Sequence, residues 1–131
     1  SCNLEPRLYE FVREIAGEVD ALFLGMECDG APMSWLYGAV MSSAPTRAMD
    51  QSRRLCGSDH PRGVSIVERL SPRRVFVYAM GQEPWCAFIT SIRYTDESAP
   101  IVASNRLIES CRERAIPAER LYGRSQIRLE E

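Results

Sequence analysis

Apolar residues near the start of the chain recur at helical spacing, with Leu8, Phe11, Val12 and Ile15 on one face. Asn3 can cap this helix, Pro6 suits its first turn and Gly17 can end it. Residues 21–26 (ALFLGM) are apolar on both faces, as a central strand of a covered parallel sheet requires. Gly30-Ala31-Pro32 breaks that run. Residues 33–41 are apolar and aromatic, with Trp35, Leu36 and Tyr37, and read as a short helix or lid. Pro45-Thr46 opens a helix through Leu55. Ser58 or Asp59 can cap another from Pro61, with Val64, Val67 and Leu70 inward, and Ser71-Pro72 stops it. Residues 75–79 (VFVYA) form a second central strand ending at Met80-Gly81. Glu83-Pro84 starts a helix carrying Trp85, Phe88, Ile89 and Ile92. After a polar turn over 95–100, Ser104 caps a last helix with Leu107, Ile108 and Cys111 on one face. Residues 119–122 and 126–129 suit short strands or a docked tail.

Apolar strands separated by helices predict an α/β layer with parallel pairing and right-handed crossovers. In such sheets, sites form beyond the carboxyl ends of the strands. Two loops qualify, 27–32 and 80–85. No internal repeat, low-complexity tract or linker divides the chain, so its 131 residues read as a single α/β unit. It begins Ser1-Cys2-Asn3 without an initiator methionine, and is expected to be a fragment or half of a larger domain.

Composition narrows the function classes. An apolar fraction of 45% and a charged fraction of 26% describe a globular chain. The net charge of −2 supplies no basic field for nucleic acid. All sixteen basic residues are arginine, which excludes a Schiff-base or P-loop lysine. The five cysteines, Cys2, Cys28, Cys56, Cys86 and Cys111, are odd in number and lack C-x-x-C spacing. That argues for a reducing, cytoplasmic setting and against a disulfide framework or zinc ribbon. No apolar run suits a membrane span, and no signal peptide is visible.

The tripeptide Glu27-Cys28-Asp29 follows the first central strand directly, and all three side chains can ligate a metal or move a proton. Desolvation there would raise the carboxyl pKa values and favour such chemistry. The plainer reading is a polar loop with a buried cysteine. His60, the only histidine, stands beside Asp59 and could be a metal ligand, an acid/base or a surface capping residue. Cys28 with His60 and an aspartate could form a nucleophile set, against an inert buried thiol. Gln82 and Glu83 offer polar groups opposite the first loop, or simply a favourable helix start. Trp35, Tyr37 and Trp85 could wall a pocket or fill the core. No G-x-G-x-x-G, H-x-H or H-E-x-x-H occurs, so neither a dinucleotide fingerprint nor an ordinary zinc site can be built from this chain.

Three stretches together, DALFLGMECDGAPMSWLYG at 20–38, VFVYAMGQEPW at 75–85 and PIVASNRLIESCRERAIPAERLYG at 100–123, resemble the C-terminal part of metallo-β-lactamase-fold proteins. The resemblance spans nearly the whole chain and extends to the diiron branch that contains a β-hydroxylase. It implies half of an αββα fold whose metal ligands lie mostly in the other half, with Ser1-Cys2-Asn3 just past a bridging aspartate. Where many members carry a final metal-binding histidine, this sequence has Ala79-Met80-Gly81. His60, Glu27 or Asp29 would have to substitute.

The leading expectation is therefore one wall of a dinuclear enzyme, a hydrolase or a diiron oxygenase, with zinc or iron in the complete protein and none held tightly by this chain alone. Glu27, Cys28 and Asp29 are the catalytic candidates. Gln82, Glu83, Trp85 and Trp35 are the substrate-binding candidates, and His60 is the metal candidate. Expected partners are the missing N-terminal half or a second copy, and a small-molecule or carrier-bound substrate, with no nucleic acid or membrane. The competing expectation is a self-contained ligand- or partner-binding protein without catalysis.

Overall fold

Pro6 fixes the helical φ at the start of the first helix, and the Glu5 carboxylate accepts the Arg7 backbone N–H at 3.0 Å. Glu5 thus takes the capping role expected of Asn3, which lies outside the described residues. The computed structural model describes residues 5–30, 34, 40–51, 57–79, 81–83, 85 and 93–128. Its elements are α1 (Pro6–Ala16), β1 (Ala21–Gly25), α2 (Arg47–Gln51), α3 (His60–Leu70), β2 (Arg74–Tyr78), α4 (Ala99–Glu113) and β3 (Ala118–Arg120).

The three strands form one parallel sheet in the order β1-β2-β3; the parallel pairing is the one the apolar runs predict, while β1, expected as a central strand covered on both faces, stands at the edge among the described strands. Leu22 and Leu24 stand opposite Val75 and Val77, so the four side chains share a face. That face meets Ile66, Val67 and Leu70 of α3 and Ile101, Leu107, Ile108 and Cys111 of α4 in one core. At Gly63 the helices come so close that an added Cβ would stand 2.9 Å from Leu107. On the opposite face Phe23 stacks on Phe76 at 5.0 Å between ring centres, and Phe23 and Tyr78 remain about half exposed.

Two boundaries differ from expectation. The last helix begins at Ala99 behind Ser98, not at Ser104. Pro100 fits a first helical turn, so the segment read as a polar turn is the helix start. Ser104 is buried within the helix and donates its hydroxyl proton to the Ile101 carbonyl at 2.9 Å. The second strand ends at Tyr78, because Ala79 turns into the left-handed region at φ 59°.

Helix α1 packs on α3 through its polar side. Glu10 accepts from Arg69 at 3.2 Å, and Arg13 donates to the Arg69 carbonyl at 3.2 Å and to Ser71 Oγ at 2.8 Å. Its apolar stripe faces outward, with Phe11 57% and Ile15 71% exposed.

Candidate functional site

The carboxyl end of β1 is stitched to the loop ahead of α3. Ser58 N–H donates to the Gly25 carbonyl at 2.8 Å, and Gly57 N–H donates to the Glu27 carbonyl. Only glycine fits at 57, since a Cβ there would sit 2.7 Å from the Gly25 oxygen. This approach draws Asp59 and His60 toward the strand end that carries Glu27, Cys28 and Asp29.

The Glu27 carboxylate is already committed. Its Oε1 accepts the Tyr94 hydroxyl at 2.8 Å and the Asp29 backbone N–H at 3.2 Å. The Tyr94 ring in turn fills the space at Gly81, where an added Cβ would come within 2.7 Å of it. Glu27, Tyr94 and Gly81 therefore join the loops after β1 and β2, the two predicted to form a site. Cys28 packs against the core. Burial pushes its thiol up, and the charges of Asp29, Glu27 and Asp59 add to the shift. A thiol held protonated in that way is a poor nucleophile.

Asp59 caps α3 by accepting the Arg62 N–H at 3.0 Å. His60 opens the same helix, and its Nε2 lies 3.0 Å from Ser110 Oγ of α4. No hydrogen bond joins His60 to Cys28, Glu27 or Asp29 among the described residues. Gln82 Oε1 accepts from Arg120 Nη1 at 2.9 Å. Arg120 Nη2 donates to Ser104 Oγ at 2.7 Å and Asn105 Oδ1 at 2.5 Å. Glu83 is half-buried, Trp85 is 52% exposed, and Trp35 lies outside the described residues. Tyr94 and Arg120 are not among the candidates the sequence pattern marks. An arginine closing a strand, at the edge where ligands collect, was the available signal for the second; nothing local marked the first.

Among the described residues no group of three or more His, Cys, Asp or Glu side chains could hold a metal ion. Among those residues Glu27 accepts from Tyr94, Asp59 caps α3 and His60 Nε2 lies against Ser110.

The chain is 42% identical over 129 residues to the 4-amino-L-phenylalanyl-[CmlP-peptidyl-carrier-protein] 3-hydroxylase of Streptomyces venezuelae. The match takes in 98% of this chain and 24% of that protein. The crystal structure of CmlA, a diiron β-hydroxylase from the same organism, superposes on 97% of the chain with a TM-score of 0.82 at 42% identity. That superposition covers 24% of the solved chain. A point variant of CmlA superposes on 91% of this chain and 22% of its own, with a TM-score of 0.73 at 41% identity. No family model matches the chain.

The chain matches a C-terminal part of a diiron β-hydroxylase. It spans about a quarter of the length of that hydroxylase. The likeness read from the sequence, to the diiron branch of the metallo-β-lactamase-fold proteins, is the one these comparisons find. They favour the enzyme reading over the self-contained binding protein. The hydroxylase is a diiron protein, which supports iron as the metal of a complete enzyme and gives zinc no support. No helix among the described residues is long and apolar enough to cross a membrane.

Proposed function

We infer that the chain is one layer of a diiron β-hydroxylase acting on an aminoacyl group carried by a peptidyl carrier protein. The supporting observation is the identity of 42% over 98% of the chain, joined to a TM-score of 0.82 against the solved hydroxylase. The irons would supply oxygen activation from ligands outside this chain. The chain itself would close one side of the cleft. Glu27, braced by Tyr94, and Asp29 form one bank beyond β1; Gln82 and Glu83 form the other beyond β2. Cys28, protonated and packed on the core, holds its bank in place rather than attacking substrate. Trp85 offers apolar surface to an aromatic substrate side chain. His60 ties α3 to α4 and is not assigned to a metal.

Two surfaces suit an incomplete unit: the sheet face of Phe23 and Tyr78, and the outward stripe of α1. We assign both to contacts with the remainder of the fold, and place the complete enzyme in the reducing cytoplasm. The test uses the complete protein loaded with iron and a carrier protein bearing 4-amino-L-phenylalanine. The expected product is the loaded carrier heavier by one oxygen atom. A complete protein that binds iron but leaves the carrier unchanged, or hydrolyses it instead, overturns the reading.

A further inference from the structure

Gln82 stands on a loop fixed from two sides. Behind it, Ala79 and Gly81 both take left-handed backbone, at φ 59° and 73°, and the Tyr94 ring fills the space a Gly81 side chain would need. At its tip, Arg120 Nη1 lies 2.9 Å from the side-chain oxygen. Arginine has donors and no acceptor, so the contact also fixes which way the Gln82 amide is turned. The carbonyl points to Arg120, and the amide nitrogen, with two N–H donors, makes no hydrogen bond among the described residues.

Arg120 is itself held by more than Gln82. Ser104 and Asn105 of α4 accept its other terminal nitrogen at 2.7 and 2.5 Å, and its Nε is buried without a hydrogen-bond partner among the described residues. No carboxylate pairs with it among those residues. The guanidinium therefore sets the amide by geometry, as a fork anchored on α4. Both residues lie at the carboxyl ends of parallel strands, where an α/β sheet binds its ligands.

We propose that Arg120 is a positioning residue that turns the Gln82 amide so that its N–H donors meet a carbonyl oxygen of the carrier-bound acyl group. The inference rests on the hydroxylase reading above. An acyl group on a carrier presents a thioester carbonyl and amide carbonyls, all acceptors. The amide nitrogen would orient the chain that leads to the reacting carbon.

The experiment measures hydroxylation of the 4-amino-L-phenylalanyl carrier by the complete, iron-loaded protein. Gln82→Ala and Arg120→Met each raise KM roughly tenfold, the scale of one lost hydrogen bond, and leave kcat within about twofold. The double variant is no worse than either single one, since both remove the same contact. Arg120→Lys restores part of the loss. Gln82→Glu keeps an acceptor for Arg120 and preserves the fold, yet removes both donors and raises KM as well. An unaltered KM in Gln82→Ala or Gln82→Glu overturns the inference, as do losses that multiply in the double variant. A wild-type protein that fails to hydroxylate the carrier overturns the underlying reading and the inference together.

Discussion

Gly81 carries two demands that no other residue meets. Its φ of 73° lies where side chains are strained, and a Cβ would press on Tyr94 Cε2 at 2.7 Å. Tyr94 cannot simply move away, because its hydroxyl holds Glu27. Gly81→Ala is therefore expected to lower stability by roughly 1–3 kcal/mol, read from the shift of a denaturation curve; an unchanged midpoint would show the ring to be free. At Cys28 burial, reinforced by neighbouring carboxylates, raises the thiol above its ordinary value. The folded chain then holds this proton where the unfolded chain releases it. The contribution is intact below the unfolded value and is lost as pH rises past about 9. Iodoacetamide should accordingly label Cys28 more slowly than an unstructured thiol at neutral pH, by peptide mapping, and rapid labelling would contradict the burial. The Glu27-Cys28-Asp29 tripeptide was legible because it abuts an apolar run. Its partner Tyr94 was not, because 67 residues separate it from Glu27 and only the fold brings them together.

At the scale of elements, the apolar pattern located both strands and most helices, and α3 buries Val67 and Leu70 as its spacing predicts, but β1 stands at the sheet edge among the described strands with Phe23 half exposed. Ala99-Pro100 reads as a turn in isolation, whereas Ser98 ahead of Pro100 makes it the entrance of α4. The pattern places helix α1 but not its orientation. An amphipathic pattern shows that a face is apolar, not what covers it. Here the polar face makes the contacts with α3 and Phe11 and Ile15 stay exposed. Phe11→Asp should therefore change the stability of this chain by less than about 0.5 kcal/mol. In the complete protein, where the stripe is proposed to be covered, the same change should cost roughly 1–3 kcal/mol. Denaturation of both proteins decides the matter, and equal small effects would leave the stripe uncovered in both.

For the molecule as a whole, the question is whether its acidic edge holds iron or faces it. The sequence offered Glu27, Asp29 and His60 as substitutes for a ligand that the resemblance leads one to expect. In the structure His60 is bound to Ser110 and Glu27 to Tyr94 and the Asp29 amide, so these side chains have partners of their own within the layer. Ligating side chains keep outer hydrogen bonds of this kind, and losing a carboxylate ligand empties or weakens a site. A wall residue obeys a different rule. Glu27→Gln keeps the size of the side chain and an oxygen to accept from Tyr94, while removing the charge. The complete protein carrying Glu27→Gln should bind as much iron as the wild type by elemental analysis, with its change confined to turnover. This chain expressed by itself should carry no stoichiometric iron in the same measurement. Iron lost from Glu27→Gln would make Glu27 a ligand. Two irons held by this chain alone would return the metal site to the residues described here.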